Sequence, residues 1–328
     1  MKLLLIEPAN RLAIKINKIH ILENLAHKSY LGVPPLALGV LAGLTPPDWE
    51  IKIIREPTDK VDFDEDADLI GITAATHTVN RGYEIADNYR ARGKKVIMGG
   101  IHPTVMPEEA LQHCDSVCIG EAENVWKKVL EDLKRGKLKK MYKQQGFADL
   151  TAYIPPRRDL FPRRKSIFFN AGTVETARGC PYNCEFCSVS FVYGKKMRYR
   201  PIDKLVLEIE SIENNTLFFV DDNIVSNFQR AKRLFREMAP LRKRWAGQST
   251  ISIAKDRELL KLASASGCFG LLIGIESVVK EGFEKYTKSV KDFAELKEAL
   301  KILKDHGIGV LAHMVFGNDF DTKETMKE

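Results

Sequence analysis

Short unbroken apolar runs alternate with helix-length segments along almost the whole chain, and this alternation is the strongest constraint on its fold. A strand buried on both faces reads as a continuous apolar run. Such strands belong to parallel sheets whose crossovers are helices. Over residues 1–135 the runs predict strands at 3–6, 50–55, 67–73, 95–98 and 116–119. Helices are expected at 36–44, 81–92, 107–113 and 124–135. Pro46 stops the first helix, Gly93 ends the second and Pro107 opens the third. The expectation is an α/β fold with a doubly wound, Rossmann-like parallel sheet over 1–135.

Residues 136–171 change character, with Lys137, Lys139, Lys140, the Pro155-Pro156 pair, Arg157, Arg158, Pro162, Arg163 and Arg164 and no sustained period. A surface linker is expected there. From residue 172 the alternation resumes. Strands are predicted at 174–177, 217–220, 248–253, 269–273 and 309–315, and helices at 202–212, 227–242, 256–266 and 292–306. Five β/α units over 172–328, the fifth helix barely begun, predict an incomplete β/α barrel, truncated after about five strands.

Composition narrows the class. Apolar residues are 44% and charged residues 29% of 328, which excludes wholesale disorder, collagen and a polytopic membrane protein. The net charge of +7 is mild and scattered and gives no nucleic-acid footprint. The opening MKLLLIEP is too short for a signal segment and reads as a first buried strand. The uncharged stretch 31–47 is bracketed by prolines and falls short of the ~20 residues of a membrane span. A cytoplasmic, reducing location is expected, with peripheral membrane contact left open.

Six cysteines are too few for a disulfide scaffold, and three of them, Cys180, Cys184 and Cys187, crowd into the run CPYNCEFC. Zinc sites complete four ligands, usually with a second CxxC or His pair, which this chain lacks. Three thiolates on one loop suit three irons of a [4Fe–4S] cluster, leaving the fourth iron open to a substrate or cofactor. A zinc loop borrowing His77 or His102 is the competing reading. The loop follows a predicted strand, where β/α barrels place their reactive groups.

The run from Arg178 to Cys187 resembles the signature loop of the radical S-adenosylmethionine (SAM) superfamily. The resemblance implies that the three cysteines hold a [4Fe–4S] cluster, that SAM chelates the fourth iron, and that Phe186 packs near the adenine. It also implies reductive cleavage of SAM to a 5′-deoxyadenosyl radical, with an electron donor such as flavodoxin or ferredoxin. By the same resemblance, Asp222 and Asn223 meet the SAM amine, Gln248 lies on the third strand, Glu276 and Ser277 belong to a ribose-binding segment, and His313 to Gly317 back the adenine. Read on residue type alone, Asp221 and Asp222 could equally cap the helix that follows, and Glu276 could pair a surface lysine.

In the N-terminal half, Gly99-Gly100-Ile101-His102-Pro103-Thr104, then Pro107 to Ala110, then Ile119 to Glu123 form a linked set after predicted strands. Glycine there lets backbone approach a ligand. The set resembles the cobalamin-binding domain found ahead of many radical SAM enzymes, as do residues 31–35 and 70–73. That resemblance implies cobalamin near Thr73, Gly99, Gly100, His102, Gly120 and Glu121, with His77 a further candidate. The Asp-x-His-x-x-Gly cobalt-ligand motif of cobalamin mutases is absent. The implied activity is cobalamin-dependent methyl transfer, most similar to the lipid-modifying branch that includes hopanoid methylases, on a small-molecule or lipid substrate. A radical SAM enzyme of another class, such as a cyclase, and a non-catalytic iron–sulfur or corrinoid-binding module are the alternatives. Cys114, Cys118 and Cys268 read as small buried core residues.

Overall fold

The computed structural model describes residues 1–10, 35–161, 171–182, 184–286 and 289–325. It divides into two units, Met1–Asn170 and Ala171–Glu328.

The first unit is built on six parallel strands: β1 (Lys2–Glu7), β2 (Glu50–Arg55), β3 (Leu69–Thr73), β4 (Val96–Gly99), β5 (Ser116–Ile119) and β6 (Met141–Lys143), in the order β2-β1-β3-β4-β5-β6. Helices α1 (Leu36–Leu44), α2 (Val79–Ala91), α3 (Ile101–Val105), α4 (Pro107–His113) and α5 (Trp126–Lys134) connect them. The run Leu3-Leu4-Leu5-Ile6 is wholly buried because successive side chains serve opposite faces. Leu4 and Ile6 join the core under α2 with Tyr83, Ala86 and Tyr89. Leu3 and Leu5 join the core under α1 and α5 with Leu38, Trp126 and Val129. Helices on both faces make this the expected doubly wound sheet.

The segment expected to be a linker contributes structure to this unit. β6 pairs with β5, and Tyr142 is buried with its hydroxyl donating to Asp132 (3.0 Å). Pro155 and Pro156 run back over α1, where Gly39 and Gly43 lack the Cβ that would collide with them at 2.9 Å. A three-residue strand flanked by lysines shows no apolar run, so periodicity could not reveal it. Residues 31–34 and 162–170, which include most of the expected Leu31–Pro35 motif and Pro162, Arg163 and Arg164 of the linker, lie outside the described residues.

The second unit carries β7 (Ala171–Val174), β10 (Thr216–Phe219), β11 (Arg244–Ser249), β12 (Cys268–Glu276) and β13 (Gly309–Met314), all parallel and adjacent in chain order. A two-stranded antiparallel pair, β8 (Ala177–Arg178) and β9 (Arg198–Tyr199), sits beside α6 (Val189–Tyr193). Helices α7 (Ile202–Ser211), α8 (Phe228–Met238), α9 (Arg257–Ala265), α10 (Lys280–Tyr286) and α11 (Phe293–Asp305) follow their strands. Sequential strand order with a helix after each of the first four strands is the β/α-barrel progression. One face of the sheet packs Leu217, Phe219, Trp245, Leu271 and Ile273 against those helices.

Two strands differ from expectation. The first ends at Val174, because Thr176 is tied to Asp221 and the chain then turns into β8. The third spans 244–249, since Trp245 is buried despite its basic neighbours, and 251–255 form a 3₁₀ turn. Among the described residues no helix is long and apolar enough to cross a membrane.

Candidate functional site

Both sheets present their carboxyl ends as loops rich in the singled-out residues. In the second unit, the chain leaves β7 through Glu175 and Thr176, and Arg178 Nε donates to the Glu175 carboxylate (2.9 Å). Gly179 then turns with φ +95°, and a Cβ there would lie 2.7 Å from the Lys196 carbonyl, so only glycine lets the outgoing and returning chains close together. The Cys180 N–H donates to the Gly194 carbonyl (3.2 Å) and the Cys187 N–H to the Cys184 carbonyl (3.1 Å). The loop between them carries all three cysteines half-buried, and none forms a disulfide.

Burial pushes the Cys180 thiol up, and the charges of Asp222, Cys187 and Cys184 push the same way. The structure thus brings the three cysteines and Asp222 within electrostatic reach. Three sulfurs gathered on one loop fit a cationic iron centre, which would deprotonate them outright. Among the described residues no three His, Cys, Asp or Glu side chains converge on a single ion. Cluster ligands need no such convergence, since each cysteine takes its own iron. The residues fit the group.

One buried polar atom close to Asp222 has no partner among the described residues. Asn223 is buried. Its Oδ1 accepts from the Val225 N–H (3.2 Å), and its Nδ2 has no partner among the described residues. A buried donor left unmade is costly and points to a missing acceptor. Burial, then the Glu175 charge, pushes the Asp222 carboxyl up to about 6. Neither aspartate caps the next helix: Asn227 does, accepting from Arg230 N (3.0 Å). Gln248 lies half-buried on β11, its carbonyl accepting from Ile224 N (3.0 Å).

At the end of β12 the register shifts between Gly274 and Glu276, and Glu276 takes φ +69°, a conformation rare outside glycine. Its carboxylate folds back over Gly274, where any Cβ would collide with it. Burial raises the Glu276 pKa, and His313 partly offsets this. Ser277 is buried and accepts from the Val279 N–H (3.1 Å), so its hydroxyl is partly spent opening α10. Phe186 is 44% exposed and meets Tyr286 edge-on at 5.2 Å, a contact that periodicity could not show because α10 itself was not predicted.

In the first unit the rim is stitched to itself. Thr73 and Gly99 end neighbouring strands. Gly100 turns with φ +99°, and its missing Cβ leaves room for the Ala74 carbonyl at 2.8 Å and Thr73 Oγ1 at 2.9 Å. His102 has both ring nitrogens engaged, Nδ1 with Thr76 Oγ1 (3.2 Å) and Nε2 with Glu109 (3.3 Å). Glu109 also accepts from the Tyr83 hydroxyl (2.9 Å). The Gly120 N–H donates to Thr104 Oγ1 (3.0 Å), and Glu121 is buried with its carboxylate accepting from the Ala148 N–H (2.7 Å). His77 stands exposed on the loop after β3.

Residues 174–328 match the Radical SAM superfamily, and residues 26–130 match the B12 binding domain. The chain is 32% identical over 322 residues to the bacteriochlorophyllide d C-8(2)-methyltransferase of Chlorobaculum tepidum, covering 89% of this chain and 69% of that protein. It is 31% identical over 304 residues to the C-12(1)-methyltransferase of the same organism, covering 89% and 66%. The hopanoid C-2 methylase of Rhodopseudomonas palustris is 24% identical over 309 residues, with 89% of this chain and 58% of the methylase covered. The chain therefore spans roughly two thirds or less of the length of these relatives. The solved structure of the radical SAM methyltransferase TsrM from Kitasatospora setae shares the fold, with a TM-score of 0.75 at 19% identity over 99% of this chain and 69% of TsrM. The cofactors of such proteins are a [4Fe–4S] cluster, SAM and cobalamin. The chain belongs to the radical SAM enzymes that carry a B12-binding domain.

Proposed function

We propose that the chain is the cobalamin-binding and radical-initiating part of a methyltransferase acting on an unactivated carbon of an apolar substrate. The observation that carries this reading is the unfinished rim of the second unit. Cys180 there lies within electrostatic reach of Cys184, Cys187 and the half-buried Asp222, and the buried Nδ2 of Asn223 has no acceptor among the described residues. When bound, the cluster and SAM would supply one-electron cleavage chemistry, and cobalamin the methyl group.

The protein's own part is to hold and to exclude. Cys180, Cys184 and Cys187 hold the cluster. Asn223 Nδ2 offers a donor to the methionyl carboxylate, and Asp222 an acceptor to its amine. Glu276, fixed by its left-handed backbone, presents a carboxylate to the ribose hydroxyls. Phe186, set edge-on by Tyr286, offers an apolar wall to the adenine. Gln248 lines the strand between them.

In the first unit Thr73, Gly99, Gly100 and Gly120 form the floor on which cobalamin rests, while His102 and Glu121 brace that floor through their own hydrogen bonds. The apolar substrate class rests on likeness to the bacteriochlorophyllide and hopanoid enzymes.

The test is anaerobic incubation of the reconstituted chain with SAM and a strong reductant. Formation of 5′-deoxyadenosine supports radical initiation, and transfer of a labelled methyl group from SAM to a candidate apolar acceptor supports the methyltransferase. Cleavage without any methyl transfer to such acceptors would favour another radical SAM reaction class.

A further inference from the structure

The two stems of the cysteine loop are joined by a frame of buried and half-buried polar groups. Asp221 is 1% exposed. Its carboxylate accepts the Thr176 N–H (3.0 and 3.2 Å to its two oxygens) and the Thr176 hydroxyl (2.6 Å). The Thr176 carbonyl accepts in turn from the Arg200 N–H (3.0 Å) and from Arg230 Nη2 (3.3 Å). Arg230 Nη2 also donates to the Arg200 carbonyl (2.7 Å). Arg200 Nη1 donates to the Glu175 carbonyl (2.7 Å), and its Nη2 pairs with Glu208 on α7 in a wholly buried ion pair. Thr176 lies just ahead of Cys180, and Arg200 just after the chain returns through β9. The two stems of the cysteine loop are therefore clasped together and fastened to the end of β10. That same strand end continues directly into Asp222 and Asn223.

Charges buried this deeply serve stability no better than well-packed apolar side chains would. What they do fix is direction, because each bond admits a narrow geometry. We propose that Asp221 is a positioning residue which, through Thr176, locks the cysteine loop in register with the Asp222–Asn223 pair, so that cluster and SAM sites stand in one fixed relation. The Asp221 carboxylate is engaged by the Thr176 N–H and hydroxyl. The inference rests on the functional reading above and adds to it a residue that acts only through backbone placement.

The test uses the full chain reconstituted anaerobically with iron and sulfide. Thr176→Val keeps shape and removes the hydroxyl, Thr176→Ser restores it, and Asp221→Asn weakens the acceptor. Iron content, the dissociation constant for SAM, and the change that SAM produces in the electron paramagnetic resonance spectrum of the reduced cluster are measured for each. The expected result is near-parental iron in all three. SAM affinity should fall about tenfold or more in Thr176→Val and Asp221→Asn, the scale of one lost bond to a charged group, with a diminished spectral change. Thr176→Ser should behave as the parent.

Parental SAM affinity and spectra in Thr176→Val and Asp221→Asn would overturn the proposal. So would loss of iron in step with loss of SAM binding, which is the mark of a merely structural role. A parent that takes up neither iron nor SAM would instead overturn the functional reading, and this inference with it.

Discussion

The two sheets are built from the same alternation of strand and helix, yet their carboxyl rims are finished differently. In the first unit nearly every singled-out polar group at the rim already has a protein partner: His102 with Thr76 and Glu109, Gly120 with Thr104, Glu121 with Ala148. In the second, Asn223 Nδ2 is buried without one among the described residues, the Asp222 carboxyl is desolvated, and burial with the neighbouring Asp222, Cys187 and Cys184 pushes the Cys180 thiol up. A rim satisfied by its own bonds is a platform, which suits a large cofactor held by shape. A rim with unmade bonds is a socket, completed only when charged ligands arrive.

The largest expected effect is on the socket. Cys184→Ala should take iron after reconstitution from about four per chain to near none while circular dichroism stays parental, because one of three protein ligands to the cluster is gone. Retained iron would break the assignment.

Next is the contrast in packing. Leu4, wholly buried between β1 and the helices, should cost about 2–5 kcal/mol on Leu4→Ala. Leu311, on β13 and 55% exposed, should cost within about 0.5 kcal/mol on Leu311→Ala. Denaturant melts of both variants check this.

The platform's own stitching predicts a third difference. Gly93 and Gly100 both have positive φ, but only Gly100 faces a backbone oxygen at 2.8 Å. Gly93→Ala should cost about 1 kcal/mol from the left-handed backbone alone, and Gly100→Ala about 2–3 kcal/mol as the loops separate. Equal melting shifts would show that the two loops are not tightly apposed.

A chemical contrast follows. Burial pushes the Cys114, Cys118 and Cys268 thiols up to about 12. Iodoacetamide at pH 8 should therefore label the three loop cysteines of the cluster-free chain and spare these three until unfolding, as read by mass spectrometry.

The smallest effect is the pH response of the platform. The Tyr83 hydroxyl, and then His102, hold the Glu109 carboxyl below its usual range. Its contribution is complete above the ordinary carboxylate pKa and lost as pH falls through the depressed value. The melting difference between parent and Glu109→Gln should shrink below about pH 4.

Much of this was legible in the sequence, for reasons that particular elements make plain. The strands over 50–55 and 116–119 and the helices over 36–44 and 107–113 match their predicted bounds, because each has an apolar run or helix face closed by proline, glycine or charge. The cysteine loop was legible because its spacing carries chemistry. What escaped depends on tertiary pairing. β6 has no apolar run and exists because β5 offers it an edge. The frame of Asp221, Thr176, Arg200 and Arg230 joins residues far apart in the chain, and Asp221 alone reads as one more helix cap. The bracing role of Glu121 depends on Ala148, in a stretch that reads as linker.

The most direct test of the platform-and-socket account is anaerobic reconstitution with iron, sulfide and hydroxocobalamin, followed by desalting and metal analysis. The account predicts about four irons and one cobalt per chain, with Cys184→Ala losing the iron and keeping the cobalt. Iron without cobalt in the parent, or cobalt lost along with iron in Cys184→Ala, would contradict it.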